Sequence, residues 1–300
     1  MTSKCGERAS TSLDTGKQAV NRYMGLSLGG AKSERTCLAV IDHYRNHDKA
    51  FVVDIFESIG AQDDLTADQM LLQLIDELSH ELSETGGSTV KVMAVDAPLT
   101  LPPCFGGCPK ESDNECDEGY ETCKRPDVKW MRQQYKRAKE KHSKLKHCTP
   151  YTQRPVDVYF RYKYPDENLF QDETLGANLA PQAARMSYLK RFIGDIELIE
   201  VWPKLALHHL QKPLKLSKRE LLGYKHLENG INVRTQVLER LVEKSNLFIY
   251  ERDMKKIVTN VSSFDSLLCA WAALQFDLGR VVKFRGDLPI ETGWVQIPEL

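Results

Sequence analysis

Cys104, Cys108, Cys116 and Cys123 fall within twenty residues at the spacing C-x3-C-x7-C-x6-C. Four thiolates that can be drawn into a tetrahedron are the ligand set of a structural zinc ion. The glycines of Cys104-Phe-Gly-Gly-Cys108 let two of them approach one point. Six acidic residues from Glu111 to Glu121 leave the intervening loop with little core, and zinc would organise it. The tight C-x2-C pair is missing, so free thiols in a surface loop are the alternative, with Cys148 or His147 as substitute ligands.

A second chemistry follows directly. Between Lys124 and Lys146 stand ten Lys or Arg against two acids, with Trp130 and Tyr135 interleaved. Lys129, Arg132, Lys136, Arg137 and Lys139 can neutralise phosphates, while the aromatics either stack on bases or pack inward. A solvated helix face reads the same way. Arg154 and Asp157 lie just beyond, Arg154 as a further phosphate contact. His208 and His209 have no third ligand at diagnostic spacing, so a core or surface role is expected of them.

The elements that must position these groups are legible in outline. Tyr23–Gly30, Thr36–Asp42 and Ala50–Phe56 are apolar, β-branched runs joined by short polar loops, which predicts an antiparallel meander. Thr66–Gln69 is a capping box, and Met70, Leu71, Leu74, Ile75, Leu78 and Leu82 follow at helical spacing. Thr89–Asp96 and Asp195–Val201 read as two further strands. Residues 101–193 between them hold the cysteines, a helix over Asp127–Lys146, a Pro- and Tyr-rich stretch and a helix over Ala177–Phe192. Helices are expected at Leu205–Leu210, Lys218–Tyr224 and Val233–Glu243. A last one over Phe264–Leu278 has Ser262 and Ser263 as caps. Met1–Asn21 reads as a disordered tail.

Composition limits the class. At 300 residues, 41% hydrophobic and 28% charged, the chain suits one large domain, residues 22–300, with an insertion. A net charge of -1 confines any nucleic-acid surface to a local patch. No apolar run reaches the roughly 20 residues that span a bilayer, and no signal peptide is visible. No membrane partner and a cytoplasmic home are expected.

Without the insertion the order is β-β-β-α-β-α-β-α, that of a five-stranded mixed RNase H-like sheet in which strands one, four and five are parallel neighbours. Three segments carry a closer resemblance: Val95-Asp-Ala-Pro-Leu99, Ile199-Glu-Val-Trp-Pro203 and Phe264-Asp-Ser-Leu-Leu-Cys-Ala270, with Tyr224-Lys225 beside them. Over roughly Tyr23–Leu278 the chain resembles domain-of-unknown-function family 429, whose members are predicted RNase H-like nucleases. The resemblance implies an acidic site of Asp96, Glu200 and Asp265 holding magnesium or manganese, with Lys225 as a further site residue.

Two-metal phosphodiester hydrolysis needs such converging carboxylates. Each acid also has a plainer role. Asp265 stands three residues after Ser262, as in a capping box; Asp96 suits the turn before Pro98; Glu200 suits a surface ion pair. Ser27 departs from the pattern, because RNase H-like nucleases carry an aspartate in the first strand. Asp42 on the second strand is the nearest candidate in sequence to replace it. The leading expectation is a magnesium- or manganese-dependent nuclease with a structural zinc loop. An inactive RNase H-like module that binds nucleic acid or protein is the rival. A phosphotransferase is a third reading, disfavoured by the absence of glycine-rich phosphate loops.

Overall fold

The structure, a computed structural model, describes residues 20–30, 35–84, 90–106, 108, 119–141, 147–164, 173–176, 179–284, 286–289 and 293–300. The tail reading lies outside these residues, except that Val20 and Asn21 already belong to the first strand.

In chain order the elements are β1 (Val20–Ser27), β2 (Cys37–Tyr44), β3 (Lys49–Phe56), α1 (Ala67–Glu84), β4 (Val90–Val95) and α2 (Gly119–Thr122). Then come α3 (Pro126–Lys141), α4 (Pro155–Lys163), α5 (Ala180–Leu189), β5 (Glu197–Glu200), α6 (Pro203–Leu210), α7 (Lys218–Gly223) and α8 (Gly230–Lys244). The last are β6 (Leu247–Phe248), α9 (Glu251–Thr259) and α10 (Val261–Asp277).

One mixed sheet runs in the order β5-β4-β1-β2-β3-β6. β1, β2 and β3 are antiparallel neighbours, whereas β4 lies parallel to β1, β5 to β4 and β6 to β3. The fold is therefore α/β, with six strands where five were expected. β6 escaped the sequence because it is two residues long, too short for a period-2 pattern. Three helices were missed as well, the four-residue α2 among them. Proline at its first position starts α4, a place where a missing N–H costs nothing. The amphipathic α9 is mostly polar.

Alternation along the strands gives two core layers. Tyr23, Ala39, Ile41, Val52, Val92, Ala94 and Ile199 pack with α10 and with the α6–α9 segment. Met24, Leu26, Leu38, Val40, Met93 and Val95 pack with α1 and α5. A third cluster joins α3 and α4 of the insertion to Leu205, Val295 and Ile297, so the insertion has its own small core. The chain end also reaches β5, where Gln296 N donates to Glu200 O at 2.8 Å.

α10 is the central helix. Its cap is Asn260, whose Oδ1 accepts from Ser262 N (2.9 Å) and Ser263 N (3.4 Å), so the two serines are inside the helix and do not cap it. Its backbone lies directly on β1 at Gly25. A Cβ there would fall 2.1 Å from Ser266 O and from Ala270 N, which only glycine avoids. The capping box at Thr66 forms as expected, with Thr66 N donating to Gln69 Oε1 and Gln69 N to Thr66 Oγ1. No single helix among the described residues is long and apolar enough to cross a membrane.

Candidate active site

Parallel register brings three strand ends together. Leu26 pairs with Val95, Val95 with Glu200, and Asp96 N donates to Leu26 O at 2.8 Å. Asp96 continues the series Val92, Ala94 that faces α10, while Glu200 aligns with Val95 on the opposite face. This alternation separates acids that the linear sequence treats alike.

On the α10 side, Asp96 meets Asp265, Lys225, Tyr224 and Cys269. Burial pushes the Asp96 carboxyl up to about 8; Lys225 opposes this, and the charges of Asp265 and Glu200 add to it. Asp265 is 3% exposed. Its Oδ2 stands 3.0 Å from Lys225 Nζ, whereas its buried Oδ1 has no hydrogen-bond partner among the described residues. Burial acts to lower the Lys225 ammonium, but Asp265, Tyr224 and Asp96 outweigh it and hold it well above the ordinary lysine range. Cys269, one helical turn after Asp265, is held well above its usual range by burial and by both aspartates. The buried Tyr224 hydroxyl lacks a partner among the described residues. Lys204, at the start of α6, is lowered by burial and then by the charge of Lys225, so a second ammonium stands near the cluster.

Glu200 is engaged elsewhere. Arg154 clamps it with both terminal nitrogens, Nη1 to Oε2 at 2.7 Å and Nη2 to Oε1 at 2.8 Å. Leu99 N and Trp202 Nε1 complete its shell at 3.0 and 2.8 Å. Asp157 holds the other side of Arg154, accepting from Nη2 at 3.0 Å and from Arg154 N at 2.8 Å. Burial opposes the Arg154 charge, but Asp157 and Glu200 raise it far above the usual value.

A family of proteins described as being of unknown function, DUF429, matches residues 41–289, most of the chain. The chain belongs to this family. No curated protein and no solved structure matches it.

For this DUF429 protein several sequence expectations change. Arg154 is buried and taken by two carboxylates, so it is no surface contact for a phosphate. Asp42 does not stand in for a first-strand aspartate. It forms two bonds to Arg22, at 2.8 and 2.9 Å, five residues along the ladder from Ser27. Ser27 itself pairs with Cys37 at the site end of β1 and shares the α10-facing series of Tyr23 and Gly25. Asp265 lies beyond the cap of its helix, so it caps nothing.

Trp130 and Tyr135 turn inward, each 7% exposed, leaving Lys129, Lys136, Arg137 and Lys139 as the exposed face of α3. Arg132 donates to Tyr120 O. His208 and His209 are half-buried beside Tyr164. Of the cysteine set, Cys104, Cys108 and Cys123 are in no disulfide among the described residues, and Cys116 lies outside those residues. Cys148 is buried in the insertion core, with Sγ 2.9 Å from Tyr162 Oη. Among the described residues no three His, Cys, Asp or Glu side chains are grouped to hold one ion.

Lys204 and Cys269 were missed as neighbours of the site. The spacing of four between Asp265 and Cys269 was a usable signal, since it places both on one helical face. Nothing local marked Lys204.

Proposed function

We propose that this chain is a metal-dependent phosphodiester hydrolase, a nuclease of RNase H-like fold. The order β3-β2-β1-β4-β5 with a last helix across β1 supports the fold reading. The observation that carries the function is the pairing of Asp96, half-buried at the end of β4, with Asp265, buried on α10 beside Lys225. Two crowded carboxylates, one of them raised to about 8 and the other with an orphaned buried oxygen, fit a divalent cation. Magnesium or manganese bound there would activate water and stabilise the leaving oxygen.

The protein's own groups do the rest. Asp96 and Asp265 supply negative charge, and α10 holds Asp265 in place through its close seating at Gly25. Lys225 and Lys204 offer positive charge to a phosphate. Glu200, held rigid by Arg154, adds negative charge from the neighbouring strand without being a ligand. Ser27 offers a hydroxyl where related nucleases have a carboxylate. We further propose a structural zinc ion on Cys104, Cys108, Cys116 and Cys123, and phosphate contacts from Lys129, Lys136, Arg137 and Lys139 on α3. We also propose a cytoplasmic home, where thiols are kept reduced; none of the six described cysteines is in a disulfide.

One observation favours the inactive-module reading: Lys225 already neutralises Asp265 at 3.0 Å. Manganese titration by calorimetry, paired with cleavage assays on DNA and RNA oligonucleotides, separates the two. The hydrolase reading expects binding that tightens as pH rises towards about 8, because metal competes with the proton on Asp96. Asp96→Asn should abolish both binding and cleavage while the fold survives. Wild-type protein that neither binds manganese nor cleaves would establish the module instead.

A further inference from the structure

The sheet is six strands wide, and α1 and α5 cover only part of one face. At the far end of β2 and β3 from Asp96, alternation places Ala50, Val52 and Leu247 in the core and turns Tyr44, Phe51 and Phe248 outward. Their rings form a continuous row with Tyr250. Tyr44 and Phe51 centroids are 5.5 Å apart, Phe51 and Phe248 5.6 Å, Phe248 and Tyr250 5.1 Å. Phe248 and Tyr250 are 47% and 48% exposed, although aromatic rings of this size are ordinarily buried. The row borders an open groove of about 890 Å³.

Two cations, Lys49 and Arg252, line the groove beside His47. The Arg252 guanidinium lies 6.0 Å from the Tyr250 ring centre; its Nε stands 3.3 Å from Asp253 Oδ2, and the side chain stays 70% exposed. The one carboxylate in the lining, Asp42, is held by two bonds to Arg22. Rings in a row on an outward sheet face, two of them exposed and with Lys49 and Arg252 beside them, match bases joined by phosphates: every base has a face to stack, and every linker carries a negative charge.

We propose that this face is a docking platform for single-stranded nucleic acid, with Phe51, Phe248 and Tyr250 stacking bases and Lys49 and Arg252 meeting phosphates. It goes beyond the hydrolase reading, because binding here uses neither Asp96 nor a metal. Duplex is a poor ligand, since its bases are already stacked on one another.

The test is fluorescence anisotropy of a labelled oligothymidine of about 15 nucleotides with the full-length chain in EDTA. Wild type should bind the single strand at least about 10-fold more tightly than a duplex of equal length. Phe248→Ala and Tyr250→Ala should each weaken binding about 5- to 150-fold, the range that loss of one stacked base produces. Phe248→Trp should retain affinity and Phe248→Leu should lose it, a contrast that a packing role would not give. Equal affinity of wild type and both alanine variants overturns the proposal, as does an absence of binding by wild type. A wild-type dimer in sedimentation that Phe248→Ala turns into monomer overturns it too, since the face would then belong to a second copy. Because EDTA is present throughout, failure here leaves the Asp96 site untouched, and failure at Asp96 leaves this platform untouched.

Discussion

Arg154 and Glu200 meet with side chains only 1% and 2% exposed, and Asp157 flanks them at 2%. A buried ion pair adds little over an apolar replacement of the whole group, but removing one partner strands the other's charge away from water. Arg154→Met should therefore destabilise the protein by about 3–5 kcal/mol in urea unfolding. Arg154→Lys should rescue little, because one ammonium cannot reproduce the planar pair of hydrogen bonds to Glu200. A loss under about 1 kcal/mol for Arg154→Met would show that water reaches Glu200. His209 gives the pH dependence at this scale. Burial, then His208 and Lys163, push it down from 6.5 to about 4. Between those values the native state binds fewer protons than the unfolded chain, so stability falls as pH drops through the window from about 6.5 to 4. His209→Gln should flatten that part of the stability curve; an unchanged slope would assign it to other groups.

At the scale of elements, α10 decides whether Asp265 reaches Asp96. Two local features seat it: the glycine at position 25 beneath its backbone and the Asn260 side chain at its start. Gly25→Ala forces a methyl against backbone atoms 2.1 Å away, which no side-chain rotation relieves. Overpacking of this kind costs about 1–3 kcal/mol or more, and it should also lift α10 from β1. The expected readout is a lowered thermal midpoint together with weaker manganese binding. Loss of stability with unchanged manganese affinity would mean that α10 does not place Asp265. Asn260→Ala should cost about 1 kcal/mol as a lost cap. Its Nδ2 also donates to Glu57 Oε1 at 3.0 Å, an oxygen that accepts from Ser263 Oγ at 2.9 Å as well, so the two residues are coupled and their effects should not simply add.

For the whole molecule, a net charge of -1 means that affinity for nucleic acid depends on where the charges lie. α3 places Lys136, Arg137 and Lys139 together in solvent while its apolar stripe builds the insertion core. Reversing these three to glutamate should weaken duplex binding and reduce the slope of log affinity against log salt by about 3. A slope that stays the same would make this face a solvated surface and nothing more. Arg137 is the least informative single site, because it already faces Asp287 at 3.6 Å.

Much of this architecture is legible in the sequence by itself. Runs such as Thr36–Asp42 and Thr89–Asp96 declare strands because burial on both faces demands unbroken β-branched and apolar residues. Their order implies a meander followed by crossovers. The resemblance at Val95–Leu99, Ile199–Pro203 and Phe264–Ala270 brought Asp96, Asp265 and Lys225 forward as a group. Partner choice is a different matter, because it depends on separations in space. Glu200 and Arg154 are 46 residues apart, and only the β4–β5 register and the seating of α4 bring them into a double hydrogen bond. The same register turns Asp96 towards α10 and Glu200 away from it, since neighbouring positions on a pleated strand face opposite layers. Tertiary structure likewise spent Asp42 on Arg22, turned Trp130 and Tyr135 inward, and brought Phe51 of β3 against Phe248 of β6, with Tyr250 just beyond. Local patterning is set by which residues must leave water, whereas the pairing of charges and rings is set by which strands become neighbours.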